Sequence, residues 1–271
     1  MTQTTRRTFL AAGAVALTHA VIARAAYAQA APATAGPVDP ALIDDLVAAN
    51  RILVDQGVVD GYGHVSVRHP ADPQRYLMSR SIAPELVTAA DIMEYDLDSN
   101  AVDARGRTSY LERFIHGEIY RVRPDVKAIV HNHSPSVIPF GVSTVPLRPL
   151  YHMSAFLGGG VPVFDIKAAA GGATDMLVRN AALGRALATT LGARPVALMR
   201  GHGAVVVGPT IQLTVFRSVY TEMNARLQAQ AMALGGPVTY LDDEEARLAG
   251  GSVGGTVVRP WELWRKKAPG R

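Results

Sequence analysis

Between Pro40 and about Gln56 the apolar residues Leu42, Ile43, Leu46, Val47, Ile52 and Leu53 recur at helical spacing, with Asp39 placed to cap the start and Gly57 to end it. The spacing predicts an amphipathic helix. Short apolar runs follow at Val65-Ser66-Val67-Arg68, Tyr76-Leu77-Met78 and Ile92 to Leu97, each of strand length. Helical spacing returns from Tyr110 to Arg123, where Pro124 stops it. Ala128, Ile129 and Val130 begin a further strand that Ser134-Pro135 ends. A helix is expected over 175–191, with Thr174 capping and Gly192 closing, then strands at Val196–Met199 and Ala204–Val207 and a long helix from Ile211 to about Leu234. Strands grouped before and between helices predict an α/β chain. The expected architecture is a three-layer αβα sandwich whose central mixed, largely antiparallel β-sheet carries helices on both faces.

Composition changes this picture little. At 271 residues and 48% hydrophobic content the chain can bury a sizeable core. The formal charge of +4 invites a nucleic-acid reading, but Arg6, Arg7 and Arg24 fall in the first thirty positions, which hold no acid. Setting those three of the 27 bases aside leaves 24 against 23 acids, with no basic block interleaved with aromatics. A nucleic-acid partner is therefore not expected.

The same segment suggests export. Thr5-Arg6-Arg7-Thr8-Phe9-Leu10 precedes an Ala-rich apolar run to Ile22, and small-x-small sites follow at Ala26-Tyr27-Ala28 and Ala28-Gln29-Ala30. This resembles a twin-arginine signal peptide over residues 1–30, followed by a linker over 31–38 and a folded domain over 39–271. The expected location is the periplasm, with no stable membrane insertion after cleavage. A short membrane anchor behind a chance basic pair is the alternative. With no cysteine, neither disulfides nor thiolate chemistry is open to the chain.

Chemistry concentrates on His131-Asn132-His133. Strand residues two apart share a face, so the two imidazoles can aim at one point. They read either as two ligands of a divalent ion, which needs a third from elsewhere, or as two hydrogen-bonded histidines. His202 is the candidate third ligand, set between Gly201 and Gly203 in a short turn joining two strands. Glu112 opens the helix that leads through Arg123-Pro124-Asp125 into the His131 strand.

Glu112, Arg123-Pro124-Asp125, His131-Asn132-His133, Gly201-His202-Gly203 and Gly63-His64-Val65-Ser66-Val67-Arg68 together resemble the class II aldolase/adducin family, over most of residues 40–245. The family includes fuculose-phosphate aldolase and ribulose-phosphate epimerase. The resemblance implies His131, His133 and His202 as metal ligands and Glu112 as general acid or base. It also implies carbon–carbon cleavage through a metal-stabilised enolate and a homotetramer with sites between subunits. Zinc is the expected ion, with manganese, iron or cobalt as alternatives.

Departures from the family narrow the substrate. Where its sugar-phosphate aldolases hold phosphate with small polar residues, this chain has His64, Arg80-Ser81 and Tyr110-Leu111. Leu111 offers phosphate no hydrogen bond, whereas Arg80 can grip a carboxylate with two. The substrate is therefore expected to be a small unphosphorylated carboxylate, bound by His64, Arg80 and Ser81. That pattern is similar to the branch containing hydroxy-carboxymuconate semialdehyde decarboxylases. Tyr151-His152 is the expected proton donor to the carbanion.

Other residues read as structural. His116, one turn beyond Glu112, is expected to support the site or pack in the core, and His69 to be solvated loop. Tyr220, Glu222, Trp261 and Trp264 are expected at packing positions or interfaces. Two further functions stay in view: a sugar or sugar-phosphate aldolase or epimerase, and an adducin-like interaction module without chemistry.

Overall fold

A computed structural model describes residues 34–268. The signal-peptide reading of residues 1–30 lies outside them. Helix α1 (Pro40–Asp55) starts as expected, the Asp39 side chain accepting the Ala41 N–H, and Gly57 follows with φ of 67°. Three antiparallel strands come next, β1 (His64–Arg68), β2 (Arg75–Ser79) and β3 (Ile92–Asp96). Helix α2 (Phe114–Val122), introduced by a 3₁₀ turn at Leu111–Arg113, leads into β4 (Ala128–Asn132). After α3 (Ile138–Val142) come β5 (Val163–Phe164), α4 (Ile166–Ala170) and α5 (Ala181–Leu191). The hairpin β6 (Val196–Met199) and β7 (Gly203–Gly208) precedes α6 (Ile211–Ala233), α7 (Asp243–Gly254) and α8 (Val258–Lys267).

The strands form one sheet in the order β3-β2-β1-β4-β7-β6-β5, antiparallel throughout except for β5 against β6. Both faces are apolar, and strand alternation divides them. Ala128, Val130, Ala204 and Val206 join Leu46, Ile52, Val215 and Val219 of α1 and α6 in one core. Ile129, Val205 and Val207 join Ile115, Ile119, Leu187 and Leu191 of α2 and α5 in the other. Helices therefore cover both faces, as the sequence pattern predicts.

Two expectations need correction. The helix expected over 175–191 starts only at Ala181, where the Asn180 side chain accepts the Leu183 N–H. Met176, at φ of 70°, sits in the left-handed region, which a helix interior excludes. His69 is not solvated but buried, with its Nδ1 accepting the Ala71 N–H. Trp261 and Trp264 pack into the core as expected, Trp264 beside Tyr220. Arg123-Pro124-Asp125 is a fastener, since the guanidinium pairs with Asp125 and donates to the Gly192 carbonyl at the end of α5.

Helices α2 and α5 approach closely at Gly184, where a Cβ would stand 2.5 Å from the Phe114 carbonyl oxygen and 3.0 Å from Glu118 Cγ. Neither backbone can give way without moving its helix. We expect Gly184→Ala to destabilise the protein by roughly 1–3 kcal/mol, as overpacking does. A thermal melt should show a midpoint lowered by several degrees; an unchanged midpoint would mean the helices are free to separate.

Candidate metal centre

Register brings the ligands together. His64 on β1 lies opposite His131 on β4, and on the other side of β4 Asn132 lies opposite Ala204 of β7. His131 continues the alternation of Ile129, so it faces α2 and α5, and His133 follows on that side. In the β6–β7 turn Gly201 has φ of 63°, and the His202 N–H donates to the Met199 carbonyl at 3.0 Å. A Cβ at Gly203 would overlap the Asn132 carbonyl, so only glycine lets β7 run this close to β4. His202 is thereby delivered to His133, with their Nε2 atoms 3.0 Å apart.

The three rings have centroids 4.8 to 5.1 Å apart. With Glu112 they supply four ligand atoms that all lie within 4.8 Å of one another. Glu112 occupies the 3₁₀ turn before α2, at φ of −89° and ψ of 17°, and its Oε1 accepts the Val178 N–H at 2.9 Å. Its Oε2 stands 3.3 Å from His131 Nε2 and 3.4 Å from His202 Nε2.

Backbone carbonyls set the tautomers. His131 Nδ1 donates to the Ala204 carbonyl at 3.2 Å, and His202 Nδ1 to the Met176 carbonyl at 2.9 Å. A neutral ring that donates from Nδ1 keeps its lone pair on Nε2. Both lone pairs point into the cluster. His131 Nε2 is buried and makes no hydrogen bond, an orphaned acceptor that a cation would satisfy. Three imidazoles and a carboxylate at these separations fit a divalent ion such as zinc, whose bonds to nitrogen and oxygen are about 2.0–2.2 Å.

Electrostatics suit the same occupant. Burial, reinforced by His131 and His202, pushes the His133 imidazole down to about 4. That ring stays neutral near pH 7, as a ligand must. For Glu112 burial acts upward, but His131 and His202 outweigh it and hold the carboxyl well below its usual range. His202 is raised: burial acts downward, and its contacts with Glu112 prevail. Burial first, then His116 and His131, keep His64 well below the ordinary imidazole range.

A cavity of about 310 Å³ adjoins the cluster. His64 and Ser81, two of the residues expected to bind substrate, line it together with Tyr110, Ile82, Leu111 and Leu177. Arg80 does not. Its Nε donates to Asp91 at 2.6 Å, so the group read as a carboxylate grip is engaged in an ion pair. Tyr151 and His152 are not brought to the cluster either; their rings meet edge to face, and Tyr151 packs towards Tyr220 on α6. Burial also pushes the Tyr151 phenol up to about 12, which makes it a weak acid. Sequence reasoning missed the Met176 carbonyl and the Val178 N–H, because backbone groups carry no residue signature. It also missed Tyr110, whose ring lies 4.6 Å from that of His64 and whose hydroxyl donates to the Ile82 carbonyl at 2.5 Å.

His116, behind the site, is held down to about 3 by burial and then by His131. An unfolded histidine titrates near 6.5, so between about pH 3 and 6.5 the unfolded chain binds a proton that the native ring refuses. This contribution to stability is complete above about pH 6.5 and is lost as pH falls towards about 3. Urea unfolding of metal-free protein at stepped pH should show that decline. His116→Gln should flatten it by up to about 1.4 kcal/mol per pH unit; an identical slope in the variant would contradict a neutral buried His116.

Comparison with known proteins agrees with this geometry. Residues 44–229 match the Class II Aldolase and Adducin N-terminal domain. The chain is 38% identical over 240 residues to decarboxylase tropJ of Talaromyces stipitatus, covering 80% of this chain and 90% of that protein. It is 31% identical over 215 residues to the 3,4-dihydroxyphthalate decarboxylase of Arthrobacter keyseri, covering 74% and 82%. Among solved structures, the L-fuculose 1-phosphate aldolase of Glaciozyma antarctica superposes with a TM-score of 0.70 at 23% identity, over 86% of this chain and 94% of that one, which speaks to the fold. With the family domain matched over residues 44–229, more than half of the chain, this chain belongs to the class II aldolase and adducin family.

Proposed function

We infer that the protein is a divalent-metal-dependent carbon–carbon lyase that decarboxylates a small unphosphorylated carboxylic acid bearing a hydroxyl or oxo group. The wall of the cavity beside the His131-His133-His202-Glu112 cluster carries this reading. It combines Tyr110, Ile82, Leu111 and Leu177 with Ser81 and His64 and includes no lysine or arginine among the described residues. A sugar phosphate would set a dianion against those apolar side chains, whereas a flat, largely apolar acid would match them. The similarity to tropJ and to the 3,4-dihydroxyphthalate decarboxylase supports loss of carbon dioxide over aldol cleavage.

His131, His133 and His202 would hold the ion, with Glu112 beside it; zinc fits this donor set first, then manganese, iron or cobalt. Bound there, it supplies a fixed positive charge that stabilises electron density gathering on a substrate oxygen. In decarboxylation the bond to the carboxyl carbon breaks, carbon dioxide leaves, and the electron pair stays on the substrate carbon, spread onto a neighbouring oxygen. That carbon then takes a proton. Glu112, held ionised and oriented through Val178, is positioned to take a proton from a substrate hydroxyl and return it to carbon.

The reading extends to assembly and location. Leu234, Leu248, Val258 and Leu263 are exposed, which supports burial in an oligomer, taken here as the family's fourfold ring. The Arg6-Arg7 pattern supports export to the periplasm.

Metal analysis of the purified protein should give about one divalent ion per chain, and His131→Ala should abolish it. Incubation with 3,4-dihydroxyphthalate and related hydroxy-acids should release carbon dioxide; release of an aldehyde would assign aldol cleavage instead, and metal-free inert protein would leave only the interaction module. Glu112→Gln should keep the ion yet slow turnover by roughly 10²–10⁴-fold. Arg80→Leu should leave kcat/KM within about twofold, because the guanidinium is engaged with Asp91 and does not line the cavity; a large loss would restore Arg80 as the grip.

A further inference from the structure

With Arg80 engaged elsewhere, the cavity wall needs another group to receive an anionic oxygen. His64 is placed for it. Its Nδ1 faces away from the cavity, 2.7 Å from His116 Nε2. The chain of contacts continues inward: His116 Nδ1 is 2.6 Å from Ser66 Oγ, which is 2.8 Å from the Tyr120 hydroxyl. All four side chains are buried. They line up because His64 and Ser66 share one face of β1, while His116 and Tyr120 lie four apart on α2.

Each link uses one proton, and each neutral group carries one. Three arrangements satisfy every link. In the first, Tyr120 donates to Ser66, Ser66 donates to His116 Nδ1, and His116 Nε2 donates to His64 Nδ1, which leaves the His64 proton on Nε2. The second runs in reverse and leaves the Tyr120 O–H without an acceptor; in the third Ser66 accepts from both Tyr120 and His116 Nδ1, which leaves its own O–H without one, since among the described residues neither hydroxyl has a further hydrogen-bond partner. An unsatisfied buried hydroxyl is costly, whereas an N–H at a cavity wall can meet water or ligand. His64 Nε2 has no partner among the described residues, and the ring lines the cavity.

We propose that Ser66, backed by Tyr120 and acting through His116, orients His64 so that it presents a neutral Nε2–H donor to the cavity and there binds a carboxylate or other acceptor oxygen. His64 is then the specificity-determining contact, and Ser66, His116 and Tyr120 are positioning residues. A lone pair at that place would repel a carboxylate; the donor admits one. The proposal rests on the lyase reading only for the identity of the oxygen that arrives. The tautomer itself is independent of turnover.

The test is long-range proton–nitrogen correlation on the full chain, labelled with ¹⁵N-histidine and supplied with zinc, with His64 assigned by its loss in His64→Gln. His64 should show a protonated-type Nε2 and a bare-type Nδ1. Titration with acetate should move the Nε2 signal. In Ser66→Ala, which removes the hydroxyl that donates to His116, the two His64 nitrogens should shift towards a common averaged value. A proton found on Nδ1 of the wild-type ring, or a Ser66→Ala spectrum unchanged at His64, overturns the orientation. A Nε2 signal indifferent to acetate overturns the contact. A catalytically silent protein that still passes these tests would count against the lyase reading alone.

Discussion

The antiparallel pairing of β4 with β1 on one side and β7 on the other is the constraint on which the site depends. It sets His64 across from His131 and brings the β6–β7 turn, with His202, to the end of the strand that carries His133. Chain far apart in sequence thus meets at one strand end, where the side chains still obey sheet geometry. Glu222 secures this end from the other face, its carboxylate accepting from the Ser134 hydroxyl at 2.5 Å and the Ser136 N–H at 3.0 Å. The ligands project from regular structure or short turns, which limits their freedom more than a long loop would.

The segment between α4 and α5 completes what the sheet begins. It gives the Met176 carbonyl to His202 and the Val178 N–H to Glu112, so one stretch of backbone orients both a base and a carboxylate. That dual task explains the left-handed conformation of Met176, an unfavourable state for a side chain with a Cβ. Burial then keeps the His133 ring neutral, and the carboxylate is held ionised because His131 and His202 beside it outweigh its burial.

Much of this was legible in the residues. Alternation marked β4 and β7, helical spacing marked α1 and α6, and the His-x-His pair pointed to a shared face. The start of α5 was misread because Thr174-Asp175 resembles a helix cap and Met176, Leu177 and Val178 are apolar enough to continue a helix; nothing in their side chains announces a task for their backbone. Arg80 was misread because sequence shows a charge but not its partner, and Asp91 reaches it only through the fold of the strand edge. The short elements α3 and α4 are too brief for a spacing argument, and the glycine-rich α7 buries only Ala246.

Gly203 has a bearing on how this family member can change over generations. Because β7 touches the Asn132 carbonyl there, and because neighbouring positions on a strand look opposite ways, the stretch from Ala128 to His133 tolerates neither gain nor loss of a single codon. Diversification is instead channelled into the segments around the cavity mouth, such as those holding Tyr62 and Leu111, where new chemistry can be sampled without disturbing the cation's seat.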